Sequence, residues 1–312
     1  MNILITGSKG FIAKNLIVKL KSLKKYKLFL YNRSTNDKNL NRFLIKADIV
    51  FHLAGANRSN VKKKFNDDNY QLTKKIIKNL NNLSKNTPIL YSSSIMANDN
   101  SFYGKSKLKA EKIISNYAIK TKSNSQIFRL TNIFGKWSKP DYNSVVATFC
   151  YQILHNKKIK IIKNEQISLI YIDTLIDSFV KLIKIQKKTN IFQKISNQKK
   201  IYVKSLANKL LEFKKKINNS EIPILKNDFE KNLYSTFLSY MHQKKGFFKV
   251  KRNTDIRGEF TELFKNKLIG QVSFFSINKN QVRGQHYHDT KTEKFFLIDG
   301  KVKFDFFNIV SK

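Results

Sequence analysis

The chain has 312 residues, one cysteine (Cys150) and a formal net charge of +40, from 61 Lys and Arg against 21 Asp and Glu. These numbers exclude a small disulfide-stapled domain, and Lys or Asn interrupts every apolar stretch before the roughly 20 residues that a membrane span needs. The charge is mostly dispersed lysine without a nucleic-acid-binding motif, and the N-terminus lacks a signal-peptide layout. We therefore expect a cytoplasmic protein with solvated lysines, no nucleic-acid partner and no membrane span.

In the first half, short apolar strands alternate with segments whose apolar residues recur every three or four positions, as in helices. This is the pattern of a parallel sheet covered by helices. It predicts an α/β, Rossmann-like, doubly wound sheet. The segment 33–48 has room for one helix and little more, so we expect the sheet to be reduced there. The predicted strands are 2–6, 27–31, 49–53, 88–92 and 126–130, and the predicted helices are 11–23, 69–83 and 105–117.

Beyond Trp137 the pattern predicts helices over 145–154 and 175–185 and a strand over 169–172, which suit a substrate-covering subdomain. From about Gly246 the character changes to β-like runs at 271–277, 294–298 and 301–307, with a turn at Asp299 and Gly300. We therefore predict a first domain over 1–242, a His-Gln-Lys-Lys linker and an all-β domain over 247–312.

A glycine pattern, TGSKGFIA at 6–13, follows the first strand and opens the first helix. Gly7 permits the tight turn, Gly10 lets the backbone approach a pyrophosphate, and Ala13 lets the helix pack closely on the strand. The helix N-terminus places its free amides towards the phosphates. The pattern predicts a dinucleotide site.

The end of the second strand indicates which dinucleotide is preferred. An acid about 20 residues after the glycine pattern selects NAD, whereas a base suits the 2′-phosphate of NADP. Here Tyr31, Asn32 and Arg33 supply no carboxylate, and Arg33 together with Lys9 can pair with a phosphate. We predict NADPH, with a merely solvated Arg33 as the alternative. The predicted cofactor-binding residues are Gly7, Lys9, Gly10, Phe11, Ile12, Arg33, Leu53, Ala54 and Gly55.

Candidate catalytic groups follow the fourth strand, which runs into Ser92, Ser93 and Ser94, with Tyr103 and Lys107 shortly beyond. A Tyr and a Lys four apart share one helix face, so the ammonium can lower the phenol pKa from about 10 and also hold the nicotinamide ribose. The phenol then donates a proton. A serine hydroxyl binds the substrate carbonyl, and we choose Ser94 among the three.

Two polar residues nearby receive structural interpretations. His52, at the end of the third strand, is predicted to order its loop rather than to do chemistry. Asn69, near the start of the next helix, is predicted to form structural hydrogen bonds close to the active site.

The order of these motifs resembles the extended short-chain dehydrogenase/reductase family over about residues 1–240. The later segments RLTNIFG at 129–135 and LIYID at 169–173 resemble its substrate-side segments. The resemblance implies hydride transfer at C4 of a nucleotide-linked sugar.

The run GQHYHDTKTE at 284–293 contains a second candidate site, a set of metal ligands. His286 and His288 are two apart on a predicted strand and face one side, and Glu293 can return from the next strand, which gives a zinc-type ligand set. The run resembles the first metal motif of the cupin barrel. A cupin completes its site with a later histidine, which is missing before Lys312, so we expect an incomplete barrel with weak or absent zinc. An exposed hairpin without metal is the alternative.

A reductase followed by a cupin resembles the family of bifunctional capsular polysaccharide and O-antigen biosynthesis reductases. The phrases HLAGANR, YGKSK, DIRGEFTELF and HYHDTKTEKF stand in the expected order. The resemblance implies a homodimer in which the cupin epimerises C3 of a UDP-linked 4-keto-6-deoxy amino sugar. The reductase then reduces C4 with NADPH, on the route to UDP-N-acetyl-L-fucosamine. An incomplete barrel would impair the epimerase.

Two alternatives remain open. The first half could belong to an NAD-dependent nucleotide-sugar epimerase or dehydratase, against which Arg33 and the attached cupin argue. A decayed copy could instead persist as a nucleotide-binding protein without enzymatic activity.

Overall fold

The computed structural model describes residues 1–184, 191–219, 221–241, 250–266 and 270–308. It divides into two compact units, Met1–Phe248 and Lys249–Lys312. The predicted linker at 242–245 lies outside the described residues, so the exact domain boundaries stay a prediction.

A six-stranded parallel sheet in the order β2-β1-β3-β4-β5-β8 forms the centre of the first unit. The predicted fold class is confirmed, and β2 is the edge strand of the described sheet. Because β2 and β3 flank β1 on opposite sides, the strand order reverses between β1 and β3. Sheets of this kind bind ligands at such a topological switch point, outside the carboxyl ends of the strands. The strands are β1 (Asn2–Thr6), β2 (Lys27–Tyr31), β3 (Ile49–His52), β4 (Ile89–Ser94), β5 (Gln126–Leu130) and β8 (Phe192–Gln193).

Apolar side chains alternate between the two faces of this sheet, because successive residues of a strand point to opposite sides. In β1, Ile3 and Ile5 join the core on one face, and Leu4 joins the core on the other. Both faces are therefore buried under helices. Helices α1 (Phe11–Ser22) and α7 (Ile172–Ile183) cover the first face, and α2 (Asp37–Lys46), α4 (Leu72–Asn82) and α5 (Phe102–Thr121) cover the second.

Two irregular connections enter the carboxyl edge of the sheet. Between β3 and α4 the chain forms α3 (Lys62–Phe65) and a π-helical turn (Asn66–Gln71), so the helix begins before the predicted residue 69. Between β4 and α5 lies a single 3₁₀ turn, Ile95–Asn98. Helix α5 also starts earlier than predicted, because the Ser101 hydroxyl caps it by accepting a hydrogen bond from the Gly104 amide.

A smaller mixed sheet, β6-β7-β9, and three helices form a third core beside the main sheet. The predicted helix 145–154 is confirmed, and the predicted strand 169–172 overlaps an observed strand that begins three residues earlier, at Gln166. Among the described residues no helix is both long and apolar enough to cross a membrane. These elements are β6 (Asn132–Phe134), α6 (Val145–Leu154), β7 (Gln166–Tyr171), β9 (Lys199–Tyr202), α8 (Val203–Asn218) and α9 (Asp228–Ser239).

The second unit contains a three-stranded antiparallel meander of β10 (Arg252–Asp255), β11 (Gly258–Asn266) and β12 (Gly270–Phe275). The predicted strand 271–277 overlaps β12, which ends two residues earlier, at Phe275. The predicted strands 294–298 and 301–307 are wrong, since described residues 276–308 form no regular element. A strand needs a neighbour for its backbone hydrogen bonds, and no described segment pairs with these runs, whose apolar side chains are largely exposed.

Candidate active site

The glycine turn after β1 has a backbone that a larger residue would strain. Gly7 has a φ of +67°, in the left-handed region, and a Cβ there would lie 2.7 Å from Ala54 Cα. The Gly10 amide donates to the Gly7 carbonyl at 2.7 Å, and Gly10 begins α1 without a side-chain cap. The first amides of α1 are therefore free to meet an anion at the positive end of the helix. This cradle fits the pyrophosphate of a dinucleotide.

The other predicted cofactor residues take different positions around this cradle. Phe11 and Ile12 open α1 and pack against the core together with Leu53. Lys9 is exposed beside the turn. A side chain at Gly55 would collide with the Asn69 amide oxygen and come within 3.3 Å of Lys107 Nζ, so this glycine lets the loop after β3 approach α5 closely.

Arg33 does not stand free at the end of β2. Its Nη2 donates to Asp68 Oδ2 at 2.7 Å, and its side chain is 73% exposed. Asp68 belongs to the π-helical turn and was not singled out from the sequence. A cofactor 2′-phosphate that binds Arg33 would have to displace the Asp68 carboxylate. The displacement costs little free energy, because exposed ion pairs contribute only about 0–1 kcal/mol.

His52 is fully buried in a chain of hydrogen bonds that fixes its tautomer. The Ala54 amide donates to Thr6 Oγ1, which lies 2.8 Å from His52 Nδ1, while His52 Nε2 lies 2.8 Å from Thr73 Oγ1. The Thr73 hydroxyl donates to the Asn69 carbonyl, so Nε2 carries the ring proton and Nδ1 accepts from Thr6. Burial lowers the His52 pKa to about 3, with a smaller contribution from Lys107. This neutral histidine orders the loop, as predicted.

Asn69 occupies the π-helical turn and is fully buried. Its side-chain amide donates to the Ala56 carbonyl at 3.0 Å and to the Ser106 hydroxyl at 2.9 Å. Ser106 in turn donates to the Tyr103 carbonyl at 2.7 Å. The side chain therefore joins the loop after β3 to the start of α5, as the sequence predicted for Asn69.

The three serines at the end of β4 have different partners. The Ser92 hydroxyl donates to the His52 carbonyl at 3.4 Å, and the Ser93 hydroxyl donates to the carboxylate of Glu111. Ser94 accepts from the Met96 amide at 3.2 Å and lies close enough to the Tyr103 phenol to oppose the rise of its pKa. Of the three, Ser94 is the one that the structure places beside the phenol.

Tyr103 and Lys107 share a face of α5, but their electrostatics differ from the expectation. Burial raises the pKa of Tyr103, and the hydrogen bond from Ser94 opposes the rise only in part. The expected lowering of the phenol pKa by Lys107 is wrong, because the ammonium lies 6.0 Å from the centre of the phenol ring and donates to the Ser92 carbonyl. Burial lowers the pKa of Lys107 to about 8, against the influence of Glu111.

A buried ion pair below these residues was missed by the sequence analysis. Glu111, one turn beyond Lys107 on α5, is 1% exposed and accepts from the Arg129 guanidinium at 2.7–3.3 Å. A carboxylate four residues after a predicted catalytic lysine was the available signal, since residues at that spacing share a helix face. In a chain so rich in lysine that signal does not stand out.

The second unit brings together the three predicted metal ligands. Ligand atoms of His286, His288 and Glu293 all lie within 4.8 Å of one another, so the donor set fits one divalent ion. The expected strands beneath them are absent among the described residues, and all three residues are exposed. The Lys291 ammonium also donates to Glu293 and lowers the pKa of that carboxyl.

Family models match both parts of the chain. Residues 3–193 match the NAD dependent epimerase/dehydratase family, which is more than half of the sequence. The chain belongs to that family. Residues 253–312 match the polysaccharide biosynthesis C-terminal domain. The glycine cradle, the serine strand end and the Tyr103–Lys107 pair thus occur in an epimerase/dehydratase framework that is followed by a second, polysaccharide-related domain.

Individual relatives agree with this membership. A UDP-2-acetamido-2,6-beta-L-arabino-hexul-4-ose reductase of Pseudomonas aeruginosa is 35% identical over all 312 residues, which span 84% of that protein. The crystal structure of the capsular polysaccharide assembling protein CapF from Staphylococcus aureus shares 38% identity at a TM-score of 0.78, covering 88% of this chain and 74% of that one. The UDP-glucuronic acid 4-epimerase of Bacillus cereus, at 16% identity and a TM-score of 0.65, covers 77% of this chain and 98% of that chain and shows the shared fold.

The buried neutral state of His52 predicts a loss of stability in mild acid. The unfolded chain takes up a proton near the ordinary pKa of 6.5, whereas the folded chain resists protonation down to about 3. Between pH 7.5 and pH 5.5 this difference removes about 1.4 kcal/mol from the free energy of unfolding. Urea unfolding at both pH values, with His52→Gln as the variant without this titration, measures the effect. An equal pH dependence of the two proteins would contradict the assignment.

Proposed function

We propose that the chain reduces the C4 ketone of a UDP-linked 2-acetamido-2,6-dideoxy-4-keto-hexose with NADPH, on the route to UDP-N-acetyl-L-fucosamine for capsular polysaccharide. The observation that carries the proposal is the half-buried Tyr103 phenol beside Ser94, with Lys107 on the same helix. The 35% identity to a reductase named for such a 4-keto sugar supports the substrate class.

The raised pKa of Tyr103 suits reduction, because a proton donor has to be protonated at neutral pH. The phenol would donate its proton to the ketone oxygen while C4 accepts a hydride. The Ser94 hydroxyl would bind the same oxygen and stabilise the charge that develops on it. Bound NADPH supplies the hydride.

The cofactor would lie across the switch point of the sheet. The turn from Gly7 to Gly10 and the first amides of α1 would hold the pyrophosphate. Arg33, once released from Asp68, would bind the 2′-phosphate with Lys9 nearby, and Lys107 would hold the nicotinamide ribose. Assembly as a homodimer and a cytoplasmic location stay predictions of the family resemblance.

For the second unit we propose a weak zinc site and impaired C3 epimerisation. The ligands fit a zinc ion, which would polarise a ketone, but they are exposed and Lys291 competes for Glu293. Among the described residues the His286 ring is oriented only by the Gly284 carbonyl at 3.0 Å from Nδ1, and weak support of this kind commonly costs about 10- to 100-fold in metal affinity or activity.

The direct test supplies the purified chain with NADPH and the enzymically prepared UDP-4-keto sugar and identifies the product. We expect ketone-dependent oxidation of NADPH. Reduction with NADH alone, or interconversion of sugars without net oxidation, would favour an epimerase or dehydratase, and cofactor binding without turnover would favour a non-enzymatic protein.

Tyr103→Phe should lower the turnover number by about 10²- to 10⁴-fold while NADPH affinity stays within about twofold of the native value, because only the proton donor is removed. Stopped-flow reduction and fluorescence titration of NADPH measure the two effects. Tyr151→Phe on α6 is the matched control, since it removes a phenol hydroxyl away from the site. A Tyr103→Phe protein with near-native turnover would refute the role of the phenol.

Cofactor preference should depend on Arg33 and its partner. Arg33→Asp should lower NADPH affinity by about 10- to 100-fold, because a hydrogen bond to a charged group contributes about 1.5–3 kcal/mol. Asp68→Asn should tighten NADPH binding by up to about fivefold by freeing Arg33, whereas NADH binding should not change.

The neighbouring Asp67→Asn controls for a general change in charge, since Asp67 forms no ion pair among the described residues. Dissociation constants for NADPH and NADH from fluorescence titration decide the question. Equal affinity of the native chain for both cofactors would overturn the NADPH assignment.

Zinc affinity should increase when Lys291 is removed. Lys291→Met takes away the ammonium that competes for Glu293 and should tighten zinc binding, with Lys301→Met as the control. Competition with a chromogenic chelator measures the dissociation constants. Stoichiometric zinc that survives purification in chelator, or solvent deuterium entering C3 at an enzymic rate, would show that the native site is strong and active.

A further inference from the structure

We propose that Arg129 is a positioning residue: through Asn98 it holds the 3₁₀ turn that joins Ser94 to Tyr103, and so sets the geometry of the two groups that meet the ketone. The inference deepens the proposed reductase function and rests on it. It is carried by a set of hydrogen bonds that runs from the buried interior to this turn.

The interior end of the set is the carboxylate of Glu111. It is 1% exposed, and a charge so buried is costly unless it is paired and hydrogen-bonded. Arg129 Nη2 donates to Glu111 Oε2 at 2.7 Å and Nε donates to Oε1 at 3.0 Å, while the Ser93 hydroxyl also donates to Oε1. The bidentate contact fixes the plane of the guanidinium.

The outer end of the set is a single contact. Arg129 Nη1 donates to Asn98 Oδ1 at 2.8 Å, and the guanidinium carbon lies 5.0 Å from the centre of the Phe192 ring. Only an arginine can hold a carboxylate with one edge and reach a further acceptor with another nitrogen, since a lysine ammonium has no rigid fork. Asn98 is the last residue of the 3₁₀ turn.

The turn is packed tightly against the start of α5. A side chain at Gly104 would collide with the Met96 carbonyl oxygen and the Asp99 carboxylate. Asp99 also accepts from both the amide and the hydroxyl of Ser101, the residue that caps α5. Ser94 caps the other end of the turn.

Eight residues separate Ser94 from Tyr103, and the 3₁₀ turn forms half of this connection. A displacement of the turn shifts the serine hydroxyl relative to the phenol. Misplacing a reacting group by about 1 Å can cost about 10²-fold in rate. At Asn98 the turn is held by a hydrogen bond from a side chain of the neighbouring strand β5.

The experiment removes this contact without disturbing the buried pair. Asn98→Ala deletes the acceptor, Asn98→Asp keeps an oxygen at the same position, and Asn100→Ala changes an asparagine in the same connection that has no side-chain hydrogen bond among the described residues. We expect Asn98→Ala to lower the turnover number by about 10- to 100-fold, with the NADPH dissociation constant and the melting temperature little changed. Asn98→Asp should restore most of the rate, and Asn100→Ala should behave as the native chain.

Amide hydrogen exchange provides a readout that does not depend on activity. Asn98→Ala should speed exchange in the 95–99 segment, whereas Asn98→Asp and Asn100→Ala should not. Unchanged exchange, turnover within about twofold of native, or a rate loss matched by an equal loss of NADPH affinity would overturn the inference. If the native chain reduces no ketone while exchange responds as expected, the proposed function fails and the tether itself is supported.

Arg129→Lys is a second variant. It retains a positive charge for Glu111 but cannot serve Asn98 at the same time, so it should reproduce the Asn98→Ala rate loss and the faster exchange in the turn. Native turnover in a folded Arg129→Lys protein would contradict the positioning role.

Discussion

A buried ammonium group holds α5, which carries the candidate catalytic residues, against the carboxyl edge of the sheet. Lys107 is 5% exposed and donates to the Ser92 carbonyl at 2.8 Å, while Glu111 lies one turn further along α5. An isolated buried charge is destabilising. Helix α5 therefore packs where the Ser92 carbonyl and the Glu111 carboxylate compensate the Lys107 ammonium. The same burial that lowers the pKa of Lys107 raises that of Tyr103. The packing of α5 against the sheet therefore determines both the position of Lys107 and Tyr103 and the direction of their pKa shifts.

Polar contacts connect this helix with the cofactor edge of the sheet. The chain through Thr6, His52, Thr73 and Asn69 runs from the strand before the glycine turn to the π-helical turn, and Asn69 continues it to Ser106 on α5. The hydroxyls and ring nitrogens of this chain are each paired, and among the described residues the Asn69 side-chain oxygen is left as its one buried atom without a partner. The missing side chain of Gly55 allows the two halves to approach so closely. The network thus links the strand that precedes the glycine turn to the start of α5.

The two units present different environments for chemistry. In the first, helices bury both faces of a parallel sheet, and the candidate groups Ser94 and Lys107 are buried beside the half-buried Tyr103, where hydrogen bonds are strong. In the second, the His286, His288 and Glu293 cluster is exposed on a segment without regular structure among the described residues. Water weakens each contact there and leaves Lys291 free to compete. The structure therefore favours reduction over metal-assisted epimerisation.

The sequence by itself determined the sheet, since the strand at residues 2–6 and its parallel neighbours follow from apolar alternation and turn residues, which are local properties. It also placed Gly7, Ser94, Tyr103 and Lys107 in one region, because the carboxyl ends of parallel strands meet at one edge. Only the tertiary structure paired Arg33 with Asp68, 35 residues away, and Arg129 with Glu111 and Asn98. It likewise reversed the expected pKa of Tyr103 and removed two predicted strands, because burial and strand pairing are set by neighbours distant in sequence.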